Sequence, residues 1–273
     1  MTPTVPPGLD LKRTQALYEL AEQRYLEALP LEHFMESTPH ATQRKITLES
    51  FDLIHAKRAD IQCFNELLVQ YPPPGQDPEK PAQVVPDNMV VIHSQPIQAT
   101  GSFNTPLQPA RPFLMLEYVS KSSKRKDYDD NYTKYEQDLQ VPYYLTFYPD
   151  ADEMTLYRLK EQKYHAVRPN EHGRYPIAEL ELEAALHEGW VRFWFRGKLL
   201  PLPAELQREL DLTQSLLKDT QNQLNVTQNQ LSDTRNELIA AHEKIKAQDQ
   251  AQRDVLLELA KLREQLARAT QPE

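Results

Sequence analysis

Near the N-terminus, behind a proline-rich lead (Pro3, Pro6, Pro7), Leu11, Ala16, Leu17, Leu20 and Ala21 recur at helical intervals, which predicts an amphipathic helix. A second stretch, Thr47 to Gln70, carries Phe51, Ile54, Ile61, Leu67 and Leu68 at loosely helical spacing. It stops at Tyr71-Pro72-Pro73-Pro74-Gly75, a strong breaker.

From residue 84 the pattern shortens to that of strands. Val84 to Ile92 is rich in β-branched residues, and Phe113-Leu114-Met115-Leu116-Glu117-Tyr118-Val119 is apolar on both faces until Glu117, as in a central strand covered on both sides. Residues 124–139 are charged and predicted helical, with Tyr128, Tyr132, Tyr135 and Leu139 on one face. Val141 to Tyr148 is the next strand, followed by Met154 to Leu159 and Lys163 to Val167. Short strands around Leu180 to Leu186 and Trp190 to Phe195 are joined by Glu188-Gly189, a hairpin signal. The order strand, strand, helix, strand predicts a mixed α/β sheet.

Beyond a short joint, Leu199 to Pro203, the pattern changes again. Residues 204–269 contain no glycine or proline, and Leu210, Leu217, Leu224, Leu231, Leu238, Ile245, Leu259 and Leu266 fall in a seven-residue series broken only by Gln252. A second seam runs Thr213, Thr220, Thr227, Thr234, Ala241, Gln248, Val255, Leu262, Ala269. A seven-residue period on a helix of 3.6 residues per turn leads to left-handed supercoiling against a partner. The tail is therefore expected to form a coiled coil that pairs two copies through residues 204–269. It should be weakest along the threonines and strongest where Val255, Leu259, Leu262 and Leu266 cluster.

Composition removes several function classes. With 40 acidic and 31 basic residues the formal charge is −9, so bulk attraction to nucleic acid is not expected. Cys63 is the single cysteine, which excludes an internal disulfide and a thiolate zinc cluster and suits a reducing compartment. The six glycines come no closer together than Gly189 and Gly197, too sparse for GxGxxG, the GxxxxGK phosphate loop or the GxSxG elbow. Met1 to Pro7 lacks a basic segment followed by an apolar run, and no apolar run approaches the ~20 residues needed to cross a bilayer. A cytoplasmic protein without a membrane span is expected.

The candidate chemistry lies in two acids. Asp87 follows Pro86 in a β-branched run, and Glu117 interrupts an apolar strand. A carboxylate at the end of a buried strand needs a cation, a metal or hydrogen-bond donors. An Asp and a Glu on adjacent strands could share one hard divalent ion with water completing the shell. On periodicity alone the plainer alternative is favoured: Asp87 starts a turn and Glu117 pairs with a basic residue such as Arg111. Lys121, Lys124, Arg125 and Lys126 form a dense positive cluster that could hold phosphates, although Asp127, Asp129 and Asp130 follow at once.

Val85-Pro86-Asp87, Leu116-Glu117-Tyr118-Val119-Ser120, Asp127 to Tyr135 and Val141-Pro142-Tyr143-Tyr144 together resemble the Uma-two-type restriction endonuclease family, built on the PD-(D/E)XK nuclease fold. The similarity covers roughly residues 30–203. It implies an α/β fold with a restriction-endonuclease-like mixed sheet flanked by helices, followed here by the coiled-coil helix. The expected organisation is a helical lead (1–29), the nuclease-like domain (30–203) and the coil (204–273). The resemblance further implies that Asp87 and Glu117 bind Mg²⁺ or Mn²⁺, with the Tyr118 carbonyl as a third ligand, and that the partner is nucleic acid, DNA above all.

The family's lysine is the point of departure. Val119 occupies its usual place, and relatives that share this departure supply the lysine from the following helix, where this chain has Asn131. Lys134, three residues on, and Lys121, just past the strand, are the candidates to replace it. His40 lies where relatives often carry a histidine, and Glu36 is the nearest acid in that helical region; the plainer reading of both, as ordinary surface residues, is favoured. Two functions follow: a metal-dependent phosphodiester hydrolase, or an interaction protein on a disused nuclease fold.

Overall fold

A computed structural model describes residues 10–28, 37–75, 77, 79–119 and 130–269. It divides into two compact units, one ending at Pro203 and the other beginning at Ala204.

Within the first unit, α1 (Leu11–Ala28) and α2 (Thr38–His55) precede all the strands. Ser37 caps α2, its hydroxyl accepting from the His40 amide, and a proline in the first turn costs no hydrogen bond there. Only the first part of the stretch from Thr47 to Gln70 is helical. After His55 the chain turns into β1 (Ile61–Asn65) and β2 (Leu68–Tyr71). Short apolar runs satisfy both periods, and here pairing decides: β1 lies antiparallel to β4 (Asn88–Ile92), with Cys63 opposite Val90. The run from Val84 to Ile92 is also two strands. β3 (Ala82–Val84) pairs with β2, whereas β4 joins the central sheet, and Val85-Pro86-Asp87 separates them because proline cannot donate to a ladder.

The central sheet has the order β1-β4-β6-β7-β8-β9, with β6 (Pro112–Tyr118), β7 (Tyr143–Tyr148), β8 (Glu153–Lys160) and β9 (Lys163–Ala166). Only β6 and β7 run parallel; every other neighbouring pair is antiparallel. The parallel pair is linked by the helical segment that includes a π-helical turn, Lys134–Asp138. Two hydrophobic clusters cover opposite faces of this sheet. On one face Leu114, Leu116, Leu145 and Phe147 pack with Phe51 and Ile54 of α2 and with Phe193. On the other, Met89, Met115 and Tyr144 pack with Tyr135, Val69 and Phe103. The two-sided apolar pattern of β6 thus has its cause: both faces are covered.

A second sheet, β10-β11-β12-β13 (Tyr175–Ile177, Leu182–His187, Trp190–Phe195, Lys198–Leu199), is stitched to α2 by one glutamine. Gln43 donates to the Val191 carbonyl at 3.0 Å and accepts from the Val191 amide at 2.9 Å. The β11–β12 hairpin turns at Glu188 and Gly189, both with positive φ (53° and 79°), as a two-residue turn requires. A third sheet has the order β3-β2-β5, with β5 at Ser102–Asn104. The helical lead docks there: Gln70 donates to the Tyr18 carbonyl and Gln83 to that of Ala21.

The second unit is one helix, α3 (Pro203–Ala269). Its seam residues lie in water in the single chain, Leu217 65% and Leu231 72% exposed.

Candidate active site

Alternation along neighbouring strands brings Asp87 and Glu117 together. Asn88 is opposite Leu116 in the antiparallel β4–β6 pair, so Asp87 lies at the strand mouth across from Glu117. Met89 and Met115 belong to the cluster on one face, and residues two apart share a face. Both acids therefore point to the side covered by the segment around Tyr135.

Asp87 is fastened by two donors. Its Oδ2 accepts the Tyr118 backbone amide at 2.6 Å and its Oδ1 accepts Arg44 Nη2 at 3.1 Å. The same guanidinium nitrogen lies 2.9 Å from Glu66 Oε1. The arginine of the site is thus Arg44, from α2, and it meets Asp87, whereas the plainer sequence reading sets Arg111 against Glu117. A strand residue directs its amide and carbonyl to the same neighbour, so the Tyr118 carbonyl also faces the Asp87 side.

Glu117 is buried, and its Oε1 accepts Asn131 Nδ2 at 2.9 Å and the Tyr135 hydroxyl at 2.6 Å. Burial first, and then the Glu117 charge, push the Tyr135 phenol well above its usual range, and the Asp87 charge adds to the same shift. Both carboxylates bear on one hydroxyl. Behind them the Tyr118 phenol, raised well above its usual range chiefly by burial, bridges Asn88 Oδ1 at 2.5 Å and Thr47 Oγ1 at 2.7 Å on the opposite face. That network holds the strand from which Glu117 projects.

The candidate amines divide. Lys134 Nζ lies 3.4 Å from the Gln83 carbonyl of β3 and is not brought to Glu117. Asn131 and Tyr135, four apart, take the face towards the acid, and Lys134 lies to one side of it. Lys121, the rest of the basic cluster and Glu36 lie outside the described residues. His40 sits in the first turn of α2 with its ring edge-on to Tyr118, 6.5 Å between centroids. Arg44 is the site residue that sequence reasoning missed. Its place one helical turn after His40 was the available signal.

No group of three or more His, Cys, Asp or Glu side chains suited to a metal occurs among the described residues. The donor chemistry nevertheless fits a hard divalent ion. Two carboxylates on one face and a backbone carbonyl turned to the same side form an all-oxygen set, and Mg²⁺ commonly takes one or two carboxylates and keeps several waters. Two of the roughly four lone-pair sites of Asp87 are taken by Tyr118 and Arg44.

A family model described as "Uma2: Putative restriction endonuclease" matches residues 32–190, more than half of the chain. The chain belongs to this family. Among solved structures it is similar to "a putative nuclease belonging to DUF820" from Anabaena variabilis, at 17% identity and a TM-score of 0.40, over 54% of this chain and 75% of that one. No curated protein matches it. In this Uma2 member Asp87 and Glu117 stand at the mouth of the antiparallel β4–β6 pair of the mixed sheet. No helix among the described residues is long and apolar enough to cross a membrane.

Proposed function

We propose that this Uma2 protein is a metal-dependent nuclease that hydrolyses phosphodiester bonds of DNA in the cytoplasm, with residues 30–203 as the catalytic domain and residues 204–269 pairing two copies. The observation that carries the reading is the shared face of Asp87 and Glu117, whose charges both act on the Tyr135 hydroxyl. Asp87, Glu117 and the Tyr118 carbonyl would hold Mg²⁺ or Mn²⁺. Such an ion, when bound, lowers the pKa of a water and offsets charge on the attacked phosphate. Arg44 and the Tyr118 amide orient Asp87, while Asn131 and Tyr135 orient Glu117. Lys121 is the amine proposed to approach the phosphate, since Lys134 meets Gln83. Pairing through the coil supplies two sites for the two strands of a duplex.

The test is plasmid cleavage in Mn²⁺ by the full chain beside Asp87→Asn and Glu117→Gln. The nuclease reading expects nicking by the wild type and its loss in both variants with folding kept. Equal nicking by all three refutes the site.

One observation favours a second reading, an interaction protein on a silent nuclease fold. Asn131, standing where relatives carry a lysine, bonds the acid itself. Calorimetric titration with Mn²⁺ separates the two: absence of heat, or heat indifferent to Asp87→Asn, supports the silent fold.

A further inference from the structure

We infer that the coil of α3 is parallel and in register, with Gln252 of one copy facing Gln252 of the other; this rests on the pairing of two copies proposed above. The leucine seam takes the a positions of the heptad and the threonine seam the d positions, because each leucine precedes its threonine by three residues. The threonines are adapted to a buried seam. Thr213, Thr220, Thr227 and Thr234 each donate the hydroxyl to the carbonyl four residues back, at 2.7, 2.8, 2.9 and 2.9 Å. The polar end is satisfied within its own helix, which leaves the γ-methyl for a partner.

Two arguments choose the direction. The seam is polar at Gln248 and Gln252 and apolar on both sides of them, at Leu238, Ala241 and Ile245 and again at Val255, Leu259 and Leu262. A parallel in-register pair stacks each glutamine on its own copy, where two amides bond each other. It also stacks Val255, Leu259 and Leu262 on themselves. An antiparallel pair spanning the whole seam sets Gln248 against Leu231 and Gln252 against Thr227, and thereby buries amides beside apolar groups, which is costly. A polar residue at a single a position is an established device for setting register.

The flanking charges agree. In a parallel pair each g position meets the e position five residues on in the partner. That matches Glu237 with His242, Lys244 with Asp249 and Glu258 with Arg263, and no like-charged pair arises from Glu209 to Gln265. The two full charge pairs bracket the glutamine layers. Leucine at a with a β-branched residue at d shifts a parallel coil towards more strands, a pressure limited to Thr213, Thr220, Thr227, Thr234 and Val255, since Ala241, Gln248, Leu262 and Ala269 take the other d positions.

The experiment uses the full chain with Cys63→Ala, carrying either Gln252→Cys or Thr227→Cys. Sedimentation equilibrium first gives the mass. A monomer, or more than two copies, overturns the pairing itself and is read before any cross-link. For a dimer, mild oxidation of Gln252→Cys alone is expected to give a covalent dimer, and so is that of Thr227→Cys alone. Cross-linking only in a mixture of the two overturns the parallel arrangement, since the two positions are ~37 Å apart along a helix. A charge swap is a second readout. Glu258→Arg should raise the dimer Kd several-fold and Glu258→Arg with Arg263→Glu should restore it; failure of the double variant to recover also overturns the register.

Discussion

Asn131 Nδ2 donates to Glu117 Oε1 at 2.9 Å, so an uncharged amide bonds the acid from the helix position at which the family resemblance implies a lysine. A lysine there reaches further than the amide, and only its ammonium offsets charge on an attacked phosphate. Asn131→Lys is therefore expected to raise Mn²⁺-dependent plasmid nicking about 10²-fold, the order of effect of one well-placed electrostatic group. Unchanged nicking in a folded Asn131→Lys protein assigns the amine elsewhere.

Arg44 holds Asp87 and Glu66 through one nitrogen, its side chain only 13% exposed. Truncation leaves two carboxylates close together without that cation. Arg44→Met should lower unfolding stability by about 1–3 kcal/mol, since the group is partly buried and its partners are charged. Urea unfolding measures the loss. A variant as stable as the wild type would mean that water replaces the guanidinium at no cost.

Gln43 supplies both partners of the Val191 backbone at the edge where α2 meets the second sheet. Gln43→Ala leaves a buried amide and a buried carbonyl unsatisfied, a cost of about 2–4 kcal/mol. Gln43→Glu keeps the acceptor but replaces the donor, and should fall between the two in thermal melts.

Glu136 predicts an acid-sensitive contribution to stability. Burial raises its pKa, but the Tyr164 amide at 2.8 Å and the Lys163 ammonium at 3.0 Å together pull it below the ordinary glutamate value. A folded pKa below the unfolded one gives stability that is present above about pH 4.3 and lost as pH falls towards and through the folded value. The stability gap between wild type and Glu136→Gln should therefore narrow between about pH 5 and about pH 3. A gap independent of pH in that window would locate the effect in packing instead of charge.

That the tail is one long helix needed only the sequence, because the absence of glycine and proline and the helical period act locally, and α3 runs from Pro203 to Ala269 accordingly. β6 and the Glu188-Gly189 hairpin were legible for the same reason, since alternation and turn chemistry act over a few residues. Asp87 and Glu117 could be singled out as acids in apolar surroundings. Their common face depended on strand register, with Asn88 opposite Leu116. The split of Thr47 to Gln70 into α2 and two strands, and of Val84 to Ile92 between two sheets, came from pairing partners distant in the chain. Tertiary packing alone delivered Arg44 to Asp87 and turned Lys134 to Gln83. A long side chain on a helix can meet any group its reach allows, so its partner is chosen by what the fold sets beside it.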